Sequence, residues 1–183
     1  MNICVTLPDW VDAVARPGTV CASDEEKMAV AVALAAENVS RGGGPFGAVV
    51  FHRPSGRLVS GGVNLVLQSG LSCFHAEVTT LSAAQTRLGR YDLSADGGHE
   101  LVTSSEPCAM CLGAVLWSGV KRVVCGACCD AARAIGFDEG PVFPESWAYL
   151  RRAGIEVVEG VLCNEAEAVL KRYQEQGGVV YNA

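Results

Sequence analysis

Two short stretches of the sequence carry side chains of the kind that bind a metal ion. His75-Ala76-Glu77 offers an imidazole followed by a carboxylate, and Pro107-Cys108-Ala109-Met110-Cys111 offers two thiols in a C-x-x-C spacing. Imidazole nitrogen and thiolate sulfur are ligands that Zn²⁺ prefers in proteins. His75, Cys108 and Cys111 therefore predict a site for one zinc ion with three protein ligands.

The number of ligands predicts a catalytic rather than a structural zinc. Catalytic sites keep the fourth position for water and lower its pKa to about 7, whereas structural sites are closed by four protein ligands. Glu77 lies two residues after His75, where its carboxylate can accept a proton from water and deliver it to a ring nitrogen and a leaving amine. H-x-E followed by P-C-x-x-C is the signature of zinc-dependent nucleobase deaminases.

The remaining cysteines and histidines have simpler interpretations. Cys125, Cys128 and Cys129 also contain a C-x-x-C spacing, but no histidine or further cysteine pair accompanies them, which favours buried thiols over a second zinc. His52 and His99 lack partners at metal-binding spacing, so we expect solvated loop or edge residues.

Helices and strands must place the two stretches side by side. Ser23 to Glu26 is a capping box that begins an apolar helix, and Arg41 and Gly42 end it. The pattern also predicts strands over 46–52, 57–67, 101–104, 121–126 and 155–161, and helices over 75–88, 108–117, 129–135 and 165–176. Trp117, on the helix that begins near Cys108, could line a pocket or pack under the sheet.

Strands connected through helices pair in parallel, with helices on both faces of the sheet. The predicted fold class is α/β, a three-layer α/β/α sandwich with a mixed five-stranded sheet. We expect a single domain over residues 1–183, with an N-terminal arm over 1–22 and a C-terminal tail over 177–183.

Composition excludes several classes of protein. The net charge of -6 argues against a protein that grips nucleic acid. The longest apolar run has nine residues, from Met28 to Ala36, and no basic residue precedes Arg16, so we expect no membrane association, no signal peptide and a cytoplasmic location. Half of the residues are hydrophobic, more than a monomer needs, which favours an oligomer.

Seven motifs, in order along nearly the whole chain, resemble the cytidine deaminase superfamily and, more narrowly, its bacterial guanine deaminases. They are GPFGA (44–48), GVN (62–64), HAE (75–77), EPCAMC (106–111), GAVLWSG (113–119), GFDEG (136–140) and YNA (181–183). The first, third and fourth are shared across the superfamily, and the last two discriminate the narrower group. The loop FDEGP (137–141) and the residues before His75 depart from the family's pattern.

The resemblance implies a role for five further residues. It implies that Phe46 lines the base pocket, that Asn64 bonds the edge of the base, and that the acidic pair of Asp138 and Glu139 faces the amino group. It also implies that Glu139 assists Glu77 in proton transfer, and that a tail carrying Tyr181 closes over the active site of its own or a neighbouring subunit.

The expected function is therefore zinc-dependent hydrolytic deamination of a free nucleobase, guanine to xanthine plus ammonia, in a homodimer with one zinc per subunit. Related amino-heterocycles such as azaguanine, ammeline or a cytosine-like base are the alternative substrates. Adenosine in transfer RNA is a weaker alternative because the chain is acidic. A non-catalytic zinc module is a further alternative, although the presence of Glu77 argues against it.

Overall fold

The computed structural model describes residues 5–182, which form one sheet covered by helices on both faces. The sheet has five strands in the order β2-β1-β3-β4-β5. The strands are β1 (Gly47–His52), β2 (Arg57–Val63), β3 (His99–Ser105), β4 (Arg122–Ala127) and β5 (Glu156–Val158). β1 pairs antiparallel with β2 and β3, and β3, β4 and β5 are parallel, so the mixed five-stranded sheet predicted from the sequence is confirmed.

The helices are named in chain order. They are α1 (Trp10–Val14), α2 (Asp24–Ser40), α3 (Val66–Ser69), α4 (Ala76–Leu88), α5 (Ala109–Ser118), α6 (Cys129–Ala134), α7 (Pro144–Arg152) and α8 (Cys163–Glu175). α1, α2 and α8 cover one face of the sheet, and α4, α5 and α7 cover the other. Among residues 5–182, no helix combines the length and the apolar character needed to cross a bilayer.

Strand β1 lies between two hydrophobic cores, and its side chains face the two cores alternately. Ala48 and Val50 face the core that contains α4 and α5, whereas Val49 and Phe51 face the core that contains α2. Successive side chains of a strand point to opposite faces, so a central strand with both faces covered is apolar throughout. The apolar run Gly47 to Phe51 therefore fits the interior of the sheet.

Helix α2 packs closely against the start of β1. Ser23 accepts a hydrogen bond from the Glu26 backbone N–H, and the Glu26 side chain accepts one from the Ser23 backbone N–H, which confirms the predicted capping box. A Cβ atom on Gly47 would lie 2.5 Å from the Ala31 carbonyl oxygen. Only glycine permits this approach, which brings the neighbouring Phe46 to the end of the sheet.

Three details differ from the sequence-based expectations. Strand β2 ends at Val63, and residues 66–69 turn into α3, so the predicted strand over 57–67 is too long. Helix α7 was not predicted, although Pro144 at its first turn is a typical start signal. His99 was expected to be solvated and is instead 1% exposed, because it belongs to β3 and its Nδ1 lies 2.8 Å from the Leu93 carbonyl oxygen.

A network of ion pairs joins the sheet to α2 at the amino ends of β3 and β4. Glu100 accepts from Lys27 Nζ at 2.6 Å and from Arg122 Nη1 at 2.8 Å. Arg122 also pairs with Asp24 at 2.6 Å and with Glu156 at 2.9 Å. The Glu100 side chain is 2% exposed, so its charge is stabilised by these partners instead of by water.

Glu100→Ala should lower the free energy of unfolding by about 3–5 kcal/mol, because it leaves Lys27 buried without its partner. Urea denaturation followed by circular dichroism measures this loss. The matched control is Glu37→Ala, which removes an exposed ion pair with Arg41 and should cost at most about 0.5 kcal/mol. A loss no larger than that of the control would show that the network does not stabilise the fold.

Candidate active site

The two predicted metal-binding stretches meet at the carboxyl ends of the parallel strands. His75 is the residue that precedes α4, and Cys108, which follows β3, precedes α5. Both helices therefore direct their amino ends toward the same point. The unpaired N–H groups and the dipole at a helix amino end favour negative charge, which suits thiolate ligands and a carboxylate.

Three side chains from these helix starts form a cluster suited to a metal ion. The His75 Nδ1 atom lies 3.5 Å from Cys108 Sγ and 3.7 Å from Cys111 Sγ. Ordinary Zn–N and Zn–S bond lengths in a tetrahedral site place the nitrogen about 3.6 Å from each sulfur. The donor types and the spacing of the three residues thus fit a zinc ion.

The pKa values of the two thiols are shifted in opposite directions. The hydrogen bond from Cys111 and the nearby His75 lower the pKa of Cys108 to about 4, although burial opposes the shift. The pKa of Cys111 is raised by the same thiol pair and by burial. Cys108 is thus a thiolate at neutral pH, and a thiolate is the form of cysteine that binds metal.

Glu77 lies in the first turn of α4 beside the cluster. Its Oε2 accepts a hydrogen bond from Cys111 Sγ at 3.4 Å, and its Oε1 accepts one from Thr103 Oγ1 at 3.4 Å. The residue is 6% exposed, and burial raises the pKa of its carboxyl group. A carboxyl group whose pKa is raised toward neutrality can both accept and donate a proton.

A second buried carboxyl group faces the same space. Glu139 is 6% exposed, and burial together with the Cys108 thiolate raises its pKa to about 8. Its backbone oxygen accepts a hydrogen bond from the Ala109 N–H at 2.9 Å, which ties the loop to the start of α5. Two carboxyl groups with raised pKa values beside a metal-binding cluster are typical of a catalytic site.

A small cavity connects these groups. Its lining consists of metal-binding, acidic, amide and aromatic side chains: Phe46, Asn64, His75, Glu77, Glu106, Cys108, Glu139 and Asn182. Six of these eight residues were singled out from the sequence. Glu106 and Asn182 were not assigned a role, although Glu106 directly precedes the P-C-x-x-C motif and Asn182 lies in the YNA motif.

The structure does not place Asp138 where the resemblance implies. Its side chain is exposed, and Oδ1 accepts a hydrogen bond from the Gly140 N–H at 2.8 Å. Aspartate often bonds the backbone two residues ahead in this way, which keeps the carboxylate on its own loop. The adjacent Glu139 turns into the cavity instead.

Tyr181 lies behind the cavity wall. Its ring meets Phe137 edge to face at 5.0 Å, and Phe137 meets Phe46 in the same way at 5.2 Å. Its hydroxyl is buried beside Gly44, where a Cβ atom would lie 2.4 Å from the oxygen. The tail thus packs against the same chain through an aromatic cluster, and exchange of the tail between subunits stays a prediction.

Comparison with known proteins assigns this arrangement to a family. Residues 21–136 match the family described as the cytidine and deoxycytidylate deaminase zinc-binding region. The match spans more than half of the chain and includes His75, Glu77, Cys108 and Cys111. The chain belongs to this deaminase family.

Individual relatives of this deaminase include several guanine deaminases. The chain is 42% identical to the guanine deaminase of Bacillus subtilis over 116 residues, which cover 63% of this chain and 71% of the relative. A solved structure of guanine deaminase from Nitrosomonas europaea has a TM-score of 0.91 at 43% identity, covering 96% of this chain and 98% of that chain. The structure of NE0047 in complex with 2,6-diaminopurine also has a TM-score of 0.91, at 44% identity over 98% and 96% of the two chains.

The sequence left open whether a second metal site exists and where Trp117 lies. The structure decides both questions. Within residues 5–182, the ligand atoms of His75, Cys108 and Cys111 form the one group of three that lies within 4.8 Å, so no second cluster forms at Cys125, Cys128 and Cys129. Trp117 is 80% exposed on the outer side of α5 and does not line the cavity.

Proposed function

We propose that this deaminase hydrolyses the free base guanine to xanthine and ammonia. The observation that carries the proposal is one cavity that brings the His75, Cys108 and Cys111 cluster beside two buried carboxyl groups, Glu77 and Glu139. The similarity to guanine deaminases over nearly the whole chain supports this substrate.

One zinc ion per chain would be held by His75 Nδ1 and the two cysteine sulfurs, whose donor types and separations fit it. When bound, zinc supplies a Lewis acid that lowers the pKa of water to about 7. The chain's part is to hold the thiolate charge at the start of α5 and the imidazole at the start of α4, beside one cavity.

Proton transfer is assigned to the two buried carboxyl groups. Water adds to the ring carbon that bears the amine, Glu77 takes up a proton from this water, and the same carboxyl group delivers it to a ring nitrogen. The carbon–nitrogen bond then breaks and the amine leaves as ammonia with a proton assigned to Glu139. The hydroxyl proton on the same carbon passes back to the Glu139 carboxylate, which forms the carbonyl group of xanthine and restores the protonated acid. Burial raises the pKa of Glu139 to about 8, which favours the protonated carboxyl group that this role requires.

Phe46 and Asn64 are assigned to the base itself. Phe46 offers an aromatic face or edge to a planar ring, and Phe137 holds it from behind. Asn64 Oδ1 accepts from the Val66 N–H at 3.1 Å, which leaves the buried Nδ2 without a partner in the described part of the chain. This donor is suited to an oxygen or ring nitrogen of the base.

Ammonia release by zinc-loaded protein tests the proposal. The panel contains guanine, 8-azaguanine, ammeline, adenine, cytosine, cytidine and a transfer RNA anticodon stem. We expect turnover of guanine and of its close analogue 8-azaguanine. We do not expect turnover of the transfer RNA stem, because an acidic protein of net charge -6 is poorly suited to a polyanion. Activity on the RNA alone, or on no purine base, would refute the proposal.

We further propose that the deaminase is a homodimer joined through α5 and α7. The ten residues of α5 include no charged side chain, and on its outer side Met110 and Trp117 are exposed. A groove lined largely by apolar residues of α5 and α7 runs beside Trp117. Glu145 near the start of α7 and Arg152 at its end carry opposite charges, so a second copy related by a two-fold axis offers complementary charges and a tryptophan for the groove.

Trp117→Glu should convert this dimer to a monomer, because it places a charge at the centre of an apolar contact. Light scattering coupled to gel filtration measures the mass at several protein concentrations. Val20→Glu is the matched control, since Val20 is also exposed but lies beside β2, away from α5. A parent protein that is monomeric, or a Trp117→Glu variant that stays dimeric, would contradict this interface.

A further inference from the structure

The tail places one polar atom at the active-site cavity that the proposed mechanism does not use. Asn182 lines the cavity together with Glu77 and Glu139. Its Oδ1 is buried and has no hydrogen-bond partner among residues 5–182. A buried acceptor without a partner is uncommon in a folded protein and costs free energy, so such an atom on a residue that lines the cavity indicates a ligand.

The hydrogen bonds of Asn182 determine which end of its side-chain amide has no partner. Asn182 Nδ2 donates to the Asp138 carbonyl oxygen at 3.0 Å, and a carbonyl oxygen can only accept. The amide nitrogen must therefore face Asp138, and the oxygen is the end left over. The Asn182 backbone oxygen accepts from the Asp138 N–H at 2.9 Å, so the tail is anchored twice on the Glu139 loop.

We propose that Asn182 Oδ1 is a further substrate-binding group, which accepts a hydrogen bond from an N–H of the base. This inference rests on the proposed function, because it concerns recognition of the same substrate. It gives the tail a direct contact with the base in addition to the packing of Tyr181.

The free amide ends at the cavity complement a purine such as guanine. Asn64 leaves a donor unpaired and Asn182 leaves an acceptor unpaired. Guanine carries a carbonyl oxygen that accepts and ring and amino N–H groups that donate. A base without a donor at the matching position would leave the buried Asn182 Oδ1 unpaired, and unpaired buried polar groups discriminate strongly between similar ligands.

Two substitutions at one position separate this role from a merely structural one. Asn182→Ala removes both the oxygen and the nitrogen, whereas Asn182→Asp removes the nitrogen that binds Asp138 and keeps an oxygen that can accept. If the oxygen binds the base, the aspartate variant retains affinity. If the amide merely anchors the tail through its nitrogen, both variants weaken binding alike.

Calorimetry with guanine, in full-length zinc-loaded protein carrying Glu77→Gln to stop turnover, measures the dissociation constants. We expect Asn182→Ala to weaken binding about ten-fold and Asn182→Asp to stay within about three-fold of its parent. Val179→Ala, an exposed residue of the same tail, is the control and should change nothing.

Equal losses for the two Asn182 variants, or no loss for either, would overturn the inference while leaving the proposed function intact. Failure of the parent protein to bind guanine would instead refute the proposed function, and the inference with it.

Discussion

Glu77→Gln is expected to lower the rate of ammonia release from guanine about 10³-fold, within the range that proton transfer by one positioned side chain contributes. Glutamine has nearly the same shape as glutamate but cannot take up a proton. Glu77 accepts from Thr103 Oγ1 and Cys111 Sγ through separate oxygens, and the single oxygen of glutamine can keep one of these two hydrogen bonds. The fold and the metal cluster should therefore persist while turnover is lost.

Ammonia release and zinc content are measured on the same preparation of the Glu77→Gln variant. We expect a zinc content equal to that of the unmodified protein, because Glu77 is outside the group of ligand atoms. Glu165→Gln is the matched control: Glu165 also lies in the first turn of a helix but is exposed on α8. Retention of full activity by Glu77→Gln would refute the assigned role, and loss of zinc would show that Glu77 binds the metal.

Cys108→Ala is expected to lower the zinc content from about one ion per chain to a small fraction and to abolish measurable turnover. Cys108 is the thiol whose pKa lies at about 4, so it supplies the negative charge of the cluster at neutral pH. A ligand that binds the folded state alone stabilises that state, so the zinc-loaded protein should also lose thermal stability.

Elemental analysis after dialysis, ammonia release and thermal unfolding measure the three effects of Cys108→Ala. Cys163→Ala is the control, because Cys163 is a half-buried thiol on α8 outside the metal cluster. The Cys163→Ala variant should keep its zinc and its activity. Equal zinc contents in Cys108→Ala and the unmodified protein would show that the cluster is not the metal site.

The part of the site carried by local patterns was predictable from the sequence. His75 and Cys108 lie directly before helices whose starts are marked by short motifs, and Glu77 follows in the first turn. β2 and β3 both pair antiparallel with β1, so their carboxyl ends, from which the chain leads to those helix starts, lie at one edge of the sheet. Spacing and topology together thus specify the metal cluster without knowledge of side-chain packing.

Spacing and topology did not predict which of two neighbouring side chains faces the cavity. Asp138 and Glu139 are adjacent acids in one loop, and the hydrogen bond from Gly140 to Asp138 decides which one turns inward. Asn182 reaches the cavity through backbone contacts with residues more than forty positions away in the chain. The second contact has no signal in the local sequence, whereas the first is a turn contact that aspartate commonly forms and that does not by itself indicate which acid faces the cavity.

Burial of charged and polar strand residues also depended on distant partners. His99 and Glu100 are polar, so the sequence-based prediction left them out and started the strand at residue 101. Glu100 is accommodated because Lys27 and Arg122 neutralise it from other elements. A prediction from local apolar character could not include such partners.

The ion-pair network and the cavity lie at opposite ends of β3, with Glu100 near the start of the strand and Ser105 at its end. At about 3.3 Å per residue, about 17 Å separate them. Free-energy changes from substitutions at sites this far apart are usually additive. Losses of stability incurred by altering the substrate cavity can therefore be compensated at the network end, so this sheet allows substrate preference and thermal tolerance to be selected independently.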